Sequence, residues 1–190
     1  MITKNDRALL VMDVQGGIVK NLGEKAAQFI EQITKSVEVA RAAHLPVFFI
    51  VVRFREGFPE MNHRNKMYER IKNKGPYSLE GNSPDTQPVI TPKENEIVVA
   101  KKRVSAFAGS DLEMLLQAQG ITHLVLCGIA TSGVVLSTTR AAADKDYSIT
   151  ILSDCCADRD EEVNRVLLEK VFPNQANVIT SAQWEKTLTS

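Results

Sequence analysis

An acid, a pair of lysines and a glycine-flanked turn stand at the ends of three separate apolar runs in this chain. Asp13 closes Ala-Leu-Leu-Val-Met-Asp at 8–13, a continuous apolar run of the kind that forms a central parallel strand. Lys101 and Lys102 follow a predicted strand at 96–100; side chains alternate along a strand, so only one of the two can point into a given crevice. The third place is 124–140, where an apolar run rich in branched residues gives way to helical spacing. Between its halves lies Gly128-Ile-Ala-Thr-Ser-Gly133. The glycines supply backbone freedom, and Thr131 and Ser132 are placed to accept hydrogen bonds from the free amides of the first helical turn. A strand that turns straight into a helix directs those amides, and the positive end of the helix dipole, at a crevice where a developing oxyanion or a substrate carboxylate would be held. Together these groups offer proton transfer and stabilisation of negative charge.

The elements that must position them read as follows. Apolar residues at helical spacing (Ala26, Phe29, Ile30, Ile33, Val37, Ala40) predict an amphipathic helix over 24–43. Further strands are predicted at 47–52, 148–152 and 177–179, and further helices at 110–119, 161–171 and 181–188. Ser110-Asp-Leu-Glu113 has capping-box spacing and Gly120 ends that helix, Pro173 closes the next, and 154–160 reads as a loop. Between 53 and 96 the periodicity dissolves among five prolines and three glycines, with a short helix hinted at 65–74. A stretch of that length reads as an excursion over an active-site rim, partly ordered by a neighbouring subunit. Strands alternating with helices predict a parallel sheet covered on both faces. In such sheets ligands bind outside the carboxyl ends of the strands, where strand order reverses.

A chain of 190 residues, 44% of them hydrophobic, suits one domain over 1–190. Its 23 basic residues balance its 23 acidic ones, so no net field favours nucleic acid or an acidic membrane surface. The charged start and the lack of an apolar run of about 20 residues give no signal peptide or membrane span, and a cytoplasmic location is expected. Three cysteines without Cys-x-x-Cys spacing fit a reducing compartment, with the adjacent Cys155 and Cys156 read as small core residues. Asp13-Val-Gln-Gly-Gly after the first strand is neither a dinucleotide-binding nor a P-loop fingerprint.

The turn motif, with Asp13 and Lys101, resembles the isochorismatase-like hydrolases, or cysteine hydrolase superfamily, over nearly the whole chain. The resemblance implies an α/β fold: a three-layer α/β/α domain with a six-stranded parallel sheet of order 3-2-1-4-5-6. Asp13 and the turn would then face one another across the crevice, with Lys101 arriving from the third strand. The family's lysine stands four residues before Ser-Ala-Phe, a register that selects Lys101 over Lys102. The family's nucleophilic cysteine directly follows the turn motif, and that position here is Val134. A non-proline cis peptide is implied between Ile129 and Ala130. Ile129, Ala130, Thr131, Gly133, Phe107 and Arg53 are the candidate substrate-binding positions, and Arg53 and Arg55 offer forked cations to a carboxylate.

Valine cannot attack a carbonyl, and removal of a nucleophile from a comparable unit costs on the order of a millionfold in turnover. Thiol-dependent amide hydrolysis is therefore not expected, nor is replacement by Cys127, Cys155 or Cys156, which lie in the strand or on the next loop. The resemblance supplies another route: true isochorismatases lack this cysteine and cleave a vinyl ether, the aspartate protonating the double bond before water attacks. Burial would raise the pKa of Asp13 and Lys101 would lower it; the sequence leaves the winner open. Nicotinamidases of the family hold zinc just after the second strand, but here that region is Arg53-Phe-Arg-Glu-Gly57 and His63 stands alone, so no metal and no cofactor are expected. The expected partners are a small-molecule substrate, carboxylates among the candidates, and further copies of the chain in a homo-oligomer. The reading is a hydrolase using acid or base catalysis from Asp13 with Lys101; the alternative is a catalytically silent relative that binds a small carboxylate or serves as an oligomeric scaffold.

Overall fold

Successive residues of β1 (Arg7–Met12) face opposite ways, and both ways are apolar: Ala8, Leu10 and Met12 join one core, Leu9 and Val11 the other. That double burial forces helices onto both faces of the sheet. The computed structural model describes residues 6–72 and 79–188. After α1 (Gly16–Val19) and a 3-10 turn at Lys20–Lys25, α2 (Ala26–Ala42) lays Phe29, Ile33, Val37 and Ala40 on the face that carries Leu9 and Val11. β2 (Val47–Val52), α3 (Lys66–Lys72), β3 (Ile97–Lys101) and α4 (Leu112–Ala118) follow. The chain then runs through β4 (His123–Ile129), a wide π-type turn at Thr131–Val135 and α5 (Leu136–Ala143). β5 (Ser148–Ala157), α6 (Glu161–Val166), β6 (Asn177–Ile179) and α7 (Ser181–Leu188) complete it. Leu112 and Leu116 of α4, Ala142 of α5 and Leu167 beyond α6 cover the opposite face.

The sheet has six parallel strands in the order β3-β2-β1-β4-β5-β6, so strand order reverses between β1 and β4. There the two backbones approach closely. Met12 pairs with Gly128, whose φ is 145°, and a Cβ on Gly128 would lie 2.0 Å from the Met12 carbonyl oxygen.

Several boundaries differ from the sequence expectation for identifiable reasons. β5 runs on to Ala157 instead of ending at 152, because a register shift between Leu126 and Gly128 lets it re-pair with β4 through Cys156 and Ala157. The capping box at α4 does not form: Asp111 is the N-cap without a side-chain bond, and Glu113 pairs with Lys145 at 2.8 Å. The helix predicted over 161–171 changes pitch at Leu167–Val171. The 53–96 stretch is not structureless, since Phe54 bridges to Glu80, Gln15 bridges to Pro88, and α3 and a 3-10 turn at Pro84–Thr86 lie within it. Its Gly75 and Pro76 fall outside the described residues.

Candidate active site

Register alone brings the acid to the switch point. Met12 pairs with Ile50 on one side and Gly128 on the other, so Asp13 emerges one residue beyond, its amide donating to Ile50 O at 2.8 Å. Asp13 sits at φ 57°, a left-handed conformation that Asp tolerates better than most residues. Lys101 is paired with Val52 at the end of β3, two strands away. Parallel neighbours lie about 4.8 Å apart, so about 10 Å separates the two backbones and a long side chain must cross the end of β2 to reach a short one. Lys101 does so: its side chain is 2% exposed and its Nζ lies 2.9 Å from Asp13 Oδ2. The remaining ammonium protons go to the carbonyls of Arg103 and Val104, both at 3.0 Å, leaving none over. Lys102 does not reach Asp13; its Nζ donates to Ala100 O at 3.3 Å.

Asp13 Oδ1 is buried and has no protein partner. The carboxylate thus offers one oxygen to Lys101 and leaves the other without a protein partner. Burial raises the Asp13 pKa to about 6 against the opposing pull of the Lys101 charge and its hydrogen bond, so removal from water outweighs the ion pair. The consequence for stability has a definite sign. An acid whose pKa is higher folded than unfolded binds more protons in the native state between the two values, so stability falls as pH rises through that interval. Relative to Asp13→Asn, the wild-type chain is expected to lose stability between pH of about 4 and about 6, measured as the difference in urea midpoints across that range.

Asp13 and Lys101 form part of the lining of a cavity of about 550 Å³. Val134, Ile129, Ala130 and Gly133 line it from the turn, and the Ile129–Ala130 peptide is cis. Three expected positions are not among the lining residues. Thr131 is fully buried and donates to Asn164 Oδ1. Phe107 packs on the core with its ring 5.9 Å from that of Tyr147. Arg53 donates its amide to Lys101 O at 3.3 Å, and its Nε is buried without a partner. Thr131 and Ser132 do not cap the turn either, since no side chain at its N-terminus does so. The cap arrives from the β5–α6 loop, where Asp158 Oδ2 accepts from the Ser132 amide at 2.7 Å.

Part of the cavity wall comes from residues that no local pattern marks. Phe54, Met61, Asn65, Met67, Ile71 and Leu79 come from the proline-rich stretch, whose lack of periodicity gave no signal of which residues face inward. Asp158 and Arg159 line the cavity from the other side. None of the three cysteines does: all are free and buried, and burial drives each thiol pKa up, that of Cys155 to about 12. Among the described residues no group of three or more His, Cys, Asp or Glu side chains is arranged to hold a metal ion, and no helix is long and apolar enough to cross a membrane.

A family model for the isochorismatase domain matches residues 7–183. The ureidoacrylate amidohydrolase RutB of Variovorax paradoxus is 30% identical over 205 residues, covering 97% of this chain and 79% of that protein. An uncharacterized isochorismatase family protein of Bacillus subtilis, YwoC, is 28% identical over 166 residues, covering 87% and 85%. Among solved structures, an isochorismatase family protein from Burkholderia thailandensis is similar with a TM-score of 0.84 at 26% identity, covering 97% of this chain and 96% of that one.

Proposed function

This chain belongs to the isochorismatase family, and we propose that it is a small-molecule hydrolase that works by acid–base catalysis from Asp13 without a covalent intermediate. The observation that carries the reading is the state of one carboxyl group: buried, tied through Oδ2 to Lys101, and with Oδ1 left unpartnered. With a pKa of about 6, Asp13 exchanges a proton readily near neutral pH, where a general acid or base is most effective.

Val134 takes the place of the family's nucleophile in this reading. Its side chain is buried and lines the same cavity as Asp13, so the amide hydrolysis named for RutB lacks an attacking atom here. An electron-rich double bond such as a vinyl ether needs none. Protonated Asp13 delivers its proton from Oδ1 to the alkene carbon, water adds to the resulting oxocarbenium carbon and returns one proton to Asp13, and the hydroxyl proton of the hemiketal passes to the departing oxygen as the adduct collapses to a carbonyl and an alcohol. Lys101, held by two carbonyls, stabilises the carboxylate that remains. The mostly apolar wall favours a substrate with an apolar body, and Lys102 and Arg103 favour one that also bears a carboxylate.

Val134→Cys tests whether the surrounding machinery suits a thiol. The swap changes volume little, so stability should move by less than about 1.5 kcal/mol. Activity on small ureido or carboxamide substrates should rise from background by at least about a hundredfold, as expected for a nucleophile supplied with a base, with an acyl-enzyme adduct visible by intact mass. The absence of a thiol also favours a second reading, a silent carboxylate-binding relative. A panel of vinyl ethers, amides and esters giving no turnover beside saturable carboxylate binding would establish that one.

A further inference from the structure

The β1–β2 ladder is finished by a side chain. Asp13 donates its amide to Ile50 O at 2.8 Å, and a regular parallel ladder would continue with the Val52 amide giving to residue 13 and residue 15 giving to the Val52 carbonyl. Asp13 leaves that path at φ 57°, and the Gln15 carboxamide takes over both bonds. Its Oε1 accepts from the Val52 amide at 2.7 Å, and its Nε2 donates to Val52 O at 3.0 Å. The other Nε2 hydrogen goes to Thr86 O at 2.9 Å. Gln15 and Thr86 are both fully buried, so these groups satisfy one another without water.

Val52 and Thr86 stand at the two ends of the excursion that supplies part of the cavity wall. Just beyond Gln15 the two limbs meet again, Phe54 N giving to Leu79 O at 2.8 Å and Gly81 N to Phe54 O at 2.9 Å. Val52, Phe54 and Leu79 line the cavity with Asp13, and Val52 is also the register partner of Lys101. Backbone bonds tie the return limb to the β1–α1 turn as well, from Gly16 N to Gln87 O at 3.3 Å and from Val89 N to Val14 O at 2.9 Å; Gln15 joins that limb to the outgoing one at Val52. We infer that Gln15 is a positioning residue for the candidate site: its carboxamide clasps both ends of the excursion to β1 and so holds the wall that shields the Asp13 carboxyl from water. Glutamine suits the place because one side-chain end must supply two donor hydrogens and an acceptor. The consequence for catalysis rests on the hydrolase reading of Asp13; the clasp does not.

Gln15→Met nearly keeps the side chain's length and volume and removes all three bonds. In the full chain, followed by NMR, the Phe54 and Gly81 amides, whose bonds Gln15 does not make, should exchange at least about tenfold faster relative to Val11 in β1. The Asp13 carboxyl should titrate about one pH unit lower than in wild type, because water admitted beside it removes part of the burial that disfavours the charged form. A merely destabilised chain would speed Val11 exchange as well and leave that titration where it is. Phe54 and Gly81 amides that gain no more than Val11, or an unmoved Asp13 titration, would overturn the inference. A wild-type carboxyl titrating at or below about 4 defeats the hydrolase reading instead, and the exchange ratios then decide the clasp alone. Should Gln15→Met fail to fold, exchange of the wild type in rising urea decides. Val52, Phe54 and Gly81 should open together at lower urea than Val11, and separate openings would overturn the clasp.

Discussion

Asp13→Asn is expected to lower turnover about 10²- to 10⁴-fold, the range for a positioned general acid or base, while the chain still folds. The amide is close in size to the carboxyl group, tolerates the left-handed backbone at φ 57°, and still presents an oxygen to Lys101. What it lacks is the proton exchanged at Oδ1. Lys101 keeps the Arg103 and Val104 carbonyls, so its ammonium is not stranded. Removing one partner of a buried pair outright costs about 3 to 5 kcal/mol, and a loss well below that is expected here. Steady-state rates alongside urea midpoints separate the two effects. A variant that turns over normally removes the acid–base account.

Gly128→Ala should be the most damaging glycine-to-alanine substitution among the described residues. An added Cβ would lie 2.0 Å from Met12 O and 2.8 Å from Met12 C, at φ 145°. The obstacle is the backbone of a central strand, which cannot swing aside as a side chain would. Either β1 and β4 separate where Asp13 meets the turn, or the chain does not fold; a loss above about 4 kcal/mol is expected. Gly133→Ala is the matched control, since its added Cβ meets only Ala130 Cβ at 3.8 Å, and its urea midpoint should stay near that of wild type. Equal midpoints for the two variants would contradict the close approach at the switch point.

The two glycines also illustrate what could be read from the chain. Continuous apolar runs ending in Asp13 and Lys101, and a glycine-flanked turn after a third, are local signals, and the alternation of strands and helices orders them in one sheet. The family resemblance supplied the strand order and the choice of Lys101 over Lys102; register then accounts for the meeting, since β2 is all that separates their strands. Contacts between distant segments left no such trace. Asp158 looks like an ordinary loop aspartate until β5 carries it to Ser132. Asp154 reads as a turn residue, yet it lies within β5 and accepts from the Ser181 amide at 2.8 Å. Met61, Asn65 and Met67 come to the cavity from a stretch with no periodicity to betray an inward face. The capping box failed because Glu113 had a better partner, Lys145, 32 residues away.

A buried carboxyl group beside Lys101, poised to exchange a proton near neutral pH, can be tested for without a substrate. Titration of the Asp13 side-chain carboxyl by ¹³C NMR, assigned through Asp13→Asn, should give a pKa of about 6. A value at or below about 4, the ordinary range for an exposed aspartate, would mean that the ion pair offsets or outweighs burial and that Asp13 is a fixed anion instead of an acid.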